Sequence, residues 1–364
     1  MSDRRALLRL TSLAALASFV AGCGASSAVA WSPRGQVIGV RNRNRDDYVD
    51  ACGVSNAAER DAAGGVYDTI VALAPTTYSI ATTARQPPIE RLVTTLPAGL
   101  DVDWSFLLVD QRATDVPAGA AFWRGSPAPA VVRDGPVLVV APGRDAADLA
   151  LLGRASLARV LNGWSSPPTT PGAAIVVARD AAGFGAMTGT AGAAVGTSVR
   201  LGRGPLTIVL APGLLRSGAA VAASVITHEC VHVIADLCAT QAGADSDRAP
   251  RWLREGLAEY VSAKSLGLAA ALEASARTRV REARMPTDFP SDADFDAAVP
   301  DTAYDVSWVA VALIADQLGD AHLISWYRTW SVPSALLPTG SWPVGVDAAA
   351  LRRRWLARLT DWRR

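Results

Sequence analysis

The sequence predicts an α+β protein, with a small helix-and-strand module followed by a larger unit whose mixed sheet gives way to helices. Three observations carry this. Residues 60–110 read as one helical stretch and then short alternating segments. Residues 136–211 switch between β-branched runs and helical periodicity, and beyond them nearly every apolar pattern is helical. Half of the 364 residues are hydrophobic, enough for sizeable cores, and the length permits two domains. A formal net charge of +1 gives no reason to expect a nucleic acid or an acidic ligand as partner.

At the start, Arg4, Arg5 and Arg9 precede an apolar run from Leu10 to Val20. The run is too short and too rich in Ser and Thr for a membrane span. It ends in Val20-Ala21-Gly22-Cys23, which resembles a bacterial lipoprotein signal. That resemblance implies removal of residues 1–22, acylation of Cys23, and a lipid anchor holding the protein on the extracytoplasmic face of the cell membrane. Residues 23–34 then read as a flexible tether.

Gln36–Tyr48 is a short helical or extended start, and Arg60–Leu73 has helical periodicity through Val66, Ile70, Val71 and Leu73. Tyr78–Thr83, Ile89–Thr95 and Trp104–Asp110 alternate like strands of an antiparallel sheet. A helix followed by curved strands is similar to the small cystatin-like α+β cone, which implies a binding or spacer role for residues 35–128.

A second unit, 129–364, begins near Pro129–Asp134. Pro136–Ala141 reads as a strand, Ala146–Trp164 as a helix, Gly172–Ala178 as a strand and Asp180–Thr188 as a short helix. A Gly-rich hairpin then leads to the strand Leu206–Ala211. Later helices are expected at Leu268–Arg284, at Asp305–Leu318 closed by Gly319, at Ala321–Trp330 opened by Asp320, and at Asp347–Trp362.

Between these lies the segment that carries chemistry, His228-Glu229-Cys230-Val231-His232. The chain has only three histidines, and two of them stand four residues apart here. On a helix such residues share a face, so both imidazoles can close on one metal ion. Glu229 lies where its carboxylate can act on a water beside the metal rather than on the metal itself. Catalytic zinc usually takes a third protein ligand, and no further histidine follows at a suitable spacing. Glu255 comes after 22 intervening residues, in a helix that Pro250 opens and that carries Trp252, Leu253, Leu257, Tyr260 and Val261 as an apolar stripe. Glu259 is one turn beyond, placed to receive the outward N–H of a ligating histidine.

This constellation resembles the gluzincin, or peptidase-MA-like, zinc metallopeptidases, and Trp252–Tyr260 matches their WLxEGxAxY setting. The resemblance implies Zn2+ held by His228, His232 and Glu255, Glu229 as general base, Glu259 as the orienting group, and a peptide or protein substrate. It also implies that the last strand, Leu206–Ala211, forms the sheet edge beside the cleft. Tyr304 stands where gluzincins place a tyrosine that donates to the oxyanion; the other reading is a ring packed on Trp308. Gly185-Ala186-Met187-Thr188-Gly189 lacks the glutamate that aminopeptidases use to hold a free amino terminus, which favours internal cleavage. A zinc-binding lipoprotein without peptidase activity, acting as a binding module, is the alternative function.

Cys52, Cys230 and Cys238 remain besides Cys23. The last two are eight residues apart on one helix, about 12 Å along its axis and beyond disulfide reach, so any internal disulfide must use Cys52.

Overall fold

The computed structural model describes residues 129–142, 145–189, 195–200, 205–296, 301–331, 342 and 345–364, and before them 37–38, 45–51, 57, 60–61, 64, 68, 78–81, 89–95, 101–103 and 109–110. The leader, Cys23, the tether and Cys52 lie outside these residues, as do most of the expected helix Arg60–Leu73 and the loop segments 190–194 and 201–204.

In the first module, β1 (Val37–Ile38) is followed by helix α1 (Arg45–Ala51). Strands β2 (Tyr78–Ala81), β3 (Ile89–Thr95) and β4 (Asp101–Asp103) form an antiparallel sheet in that order. The single strand expected over Trp104–Asp110 is divided differently. Asp101–Asp103 pairs with β3, whereas β5 (Val109–Asp110) pairs with β1.

The second unit centres on a five-stranded mixed sheet. Its strands are β6 (Pro129–Asp134), β7 (Val137–Pro142), β8 (Ala173–Val177), β9 (Gly196–Val199) and β10 (Thr207–Leu210), in the spatial order β6-β7-β8-β10-β9. β7, β8 and β10 are parallel, and β6 and β9 close the two edges antiparallel. All of β8 and β10 is buried, which explains why both read as continuous apolar runs. Pro129–Asp134 is thus a full strand rather than only a boundary; the Asp134-Gly135 hairpin signal marks it in the sequence. The edge beside the site is β9 and not Leu206–Ala211, because β10 is enclosed between β8 and β9. The hairpin returns its first strand to the outside, an arrangement that local patterning does not distinguish from the reverse.

Helix α2 (Asp145–Gly163) covers the sheet with Leu149, Leu157 and Val160, and α3 (Ala181–Thr188) is capped by Asp180, which accepts from Gly183 N–H at 2.7 Å. The central helix is α4 (Ala219–Gln241), buried on nearly every side. It is long and apolar enough to cross a membrane, but 83% of its most apolar window is enclosed by the protein, as for a core helix.

Helix α5 (Arg251–Ser265) folds back on α4, and α6 (Ala269–Glu282), the single turn α7 (Asp292–Phe295), α8 (Asp301–Leu318), α9 (Asp320–Ser331) and α10 (Ala348–Arg363) complete the unit. The turn α7 was not expected; Ser291 and Asp294 form a capping box there, a four-residue signal easily lost among loop residues. α8 starts at Asp301 and not Asp305, so Tyr304 lies inside its first turn. α5 and α8 meet at Gly256, where a Cβ would stand 2.5 Å from the Ser307 carbonyl oxygen. Only glycine lets the two backbones approach this closely, and that contact brings Tyr304 and Glu255 into one neighbourhood.

Candidate metal centre

Helix periodicity assembles the centre. His228 and His232 are one turn apart on α4, and α5 crosses them with Glu255 pointing inward. The His228 and His232 Nε2 atoms are 3.2 Å apart, and each lies 3.3 Å from Glu255 Oε2. Tetrahedral ligands at zinc bond lengths of about 2.0–2.1 Å stand about 3.3 Å from one another, so the triangle has the size of a zinc face. These three residues form a group able to hold a metal ion.

Electrostatics support the fit. His228 and Glu255 are nearly fully buried, and Glu229 beside them is 1% exposed. Burial alone would lower the His228 pKa, but hydrogen bonding to Glu255 and Glu259 outweighs it and holds the imidazole well above its usual range. Burial alone would raise Glu255, yet the two imidazoles hold its carboxyl well below the usual carboxylate range. A site of this kind stabilises positive charge, which is what a divalent cation supplies. His232 keeps 13% side-chain exposure, so solvent reaches the triangle from its side.

Of the residues expected at the site, His228, His232 and Glu255 form the triangle, and Glu259 and Tyr304 lie beside His228. Glu259 Oε1 stands 3.4 Å from His228 Nδ1, on the far side of the ring from Glu255. Glu229 follows His228 on the helix and stays out of the triangle. The Tyr304 ring lies 6.5 Å, centroid to centroid, from that of His228 and packs edge-on against Phe295 at 5.1 Å. Cys230 is fully buried with its thiol pushed up by burial and by Glu229, and both Cys230 and Cys238 are free thiols. His322 is exposed, on α9.

Two features escaped the sequence. Ser198 on β9 donates to Glu229 Oε2 at 2.8 Å. Arg200, just past β9, pairs with Asp236 at 2.7 Å, one turn beyond His232, and Ser246 also donates to that carboxylate. The sequence signal was the His228, His232, Asp236 spacing on one helix face; the strand partners carried none. No known protein family, curated protein or solved structure matches this chain. What the chain itself establishes is a mixed α+β fold with a buried His–His–Glu group fit for a metal ion.

Proposed function

We propose that the protein is a zinc metallopeptidase of gluzincin type, tethered through Cys23 to the extracytoplasmic face of a bacterial membrane, with residues 35–128 as a cystatin-like accessory module. The observation that carries the reading is the 3.2–3.3 Å triangle of His228, His232 and Glu255 with Glu229 one residue along the same helix. Zinc, when bound there, supplies a Lewis acid that acidifies water and polarises a carbonyl. Glu229 takes the proton of the attacking water and returns it to the departing amine. Tyr304 donates its hydroxyl where negative charge develops on the carbonyl oxygen. The edge strand β9 offers its outer backbone to an extended peptide, which adds as a further strand.

The test is cleavage of a quenched peptide library by purified protein, with and without a chelator, followed by zinc add-back. Internal cleavage that the chelator abolishes and zinc restores is expected, and acetylating the substrate's amino terminus should change little. Tight zinc binding with no cleavage would instead identify a non-peptidolytic binding module. For the anchor, mass spectrometry of the mature amino terminus should find acylated Cys23; an unmodified start elsewhere removes that part of the reading.

Tyr304→Phe keeps the ring and its contact with Phe295 but removes the hydroxyl. Turnover should fall about 100- to 1,000-fold, with zinc content and melting temperature nearly unchanged. Near-normal turnover would make Tyr304 a packing residue only.

A further inference from the structure

Gly196 and Ser198 alternate with Thr197 and Val199 along β9, Arg200 continues the alternation just past its end, and all three meet α4. A Cβ at Gly196 would meet Val225 at 2.5 Å and Glu229 Cγ at 3.7 Å. Ser198 Oγ reaches Glu229 Oε2 at 2.8 Å and the Glu229 carbonyl oxygen at 3.2 Å. Arg200 reaches Asp236 at 2.7 Å. Strand and helix therefore track one another, and the Arg200–Asp236 pair fixes their register at the end of the strand.

We infer that Ser198 is a positioning residue for Glu229: its hydroxyl holds the Oε2 atom and so sets the plane of the carboxylate that follows His228 on α4. A hydroxyl has one proton to give, and the shorter contact is to the charged acceptor, where hydrogen bonds are strongest. Without that contact Glu229 keeps its place on the helix but loses the Ser198 restraint on its outer torsions. The effect on a reaction that needs a carboxylate held near one water falls on kcat and not on substrate binding. This inference rests on the peptidase reading for its kinetic consequence, though not for the contact itself.

Three variants and one pair of crystal structures test it. Ser198→Ala should lower kcat about 10- to 100-fold with KM little changed, the usual worth of a hydrogen bond to a charged group. Ser198→Thr, which keeps the hydroxyl, should restore most of the rate. In a Glu229→Gln background, Ser198→Ala should cost almost nothing further, because two residues acting through one group are not additive. Crystal structures of the zinc-loaded wild type and Ser198→Ala should show Glu229 in one conformer in the first and displaced or spread over several in the second. A raised KM with unchanged kcat, a full additional loss in the Glu229→Gln background, or an unmoved Glu229 in Ser198→Ala overturns the inference. If the wild type cleaves nothing, the peptidase reading falls alone, and the two crystal structures still decide the role of Ser198.

Discussion

Glu229→Gln should reduce turnover by about 100- to 10,000-fold while zinc content and melting temperature hold, the range expected for loss of a general base. Glutamine preserves length and shape, and its amide oxygen can still accept from Ser198. It cannot accept a proton from water. The three atoms that could hold a metal ion belong to His228, His232 and Glu255, so that group survives intact. Glu229 is 1% exposed and glutamine keeps its volume and its acceptor for Ser198, so stability should hold. Metal analysis, a melting curve and a rate on the same preparation check all three points. Lost zinc together with lost stability would make Glu229 a ligand and overturn its assignment as base.

Much of this centre was legible because it is local. Helix periodicity puts His228 and His232 on one face and Glu255 and Glu259 on one face of the next helix; that Glu255 meets the histidines is what the gluzincin resemblance of Trp252–Tyr260 implies. What the sequence left unread depends on separate segments meeting. β9 replaced Leu206–Ala211 as the edge strand because spatial strand order follows from hairpin connection, which a run of apolar residues does not encode. Ser198 looks like any strand serine until β9 is laid along α4. Gly256 is visible as a glycine in a helix, yet its reason, the Ser307 carbonyl, sits 51 positions away on α8. The Tyr304 ring meets Phe295 of the unexpected turn α7 and lies near His228, contacts that neither sequence reading named. Long-range placement of this sort follows from the whole core.

Removing the metal should destabilise the protein more as the pH rises. In the metal-free site, the carboxylates of Glu255 and Glu259 outweigh burial and raise His228, while His232 and His228 outweigh burial and lower Glu255. A raised imidazole contributes stability that is fully present below its ordinary value of 6.5 and is lost as pH climbs above it. A lowered carboxyl contributes stability that is present above its ordinary value of 4.5 and is lost as pH falls below it. Both contributions are therefore whole only between 4.5 and 6.5. Above that window the metal-free fold must take up a proton that the unfolded chain lacks, whereas zinc serves the same nitrogen without one. The melting-temperature gap between zinc-loaded and chelated protein should thus widen from about pH 6 to about pH 8.5. At a thousand-fold excess of zinc over its Kd the metal itself adds about 4 kcal/mol. His228→Ala should abolish the gap at every pH, and it leaves Glu255 buried beside a single imidazole, a change that costs about 3–5 kcal/mol for a broken buried pair. A gap that stays constant with pH, or a wild type whose melting ignores zinc, would show that the cluster is a buried ion-pair network and not a metal centre.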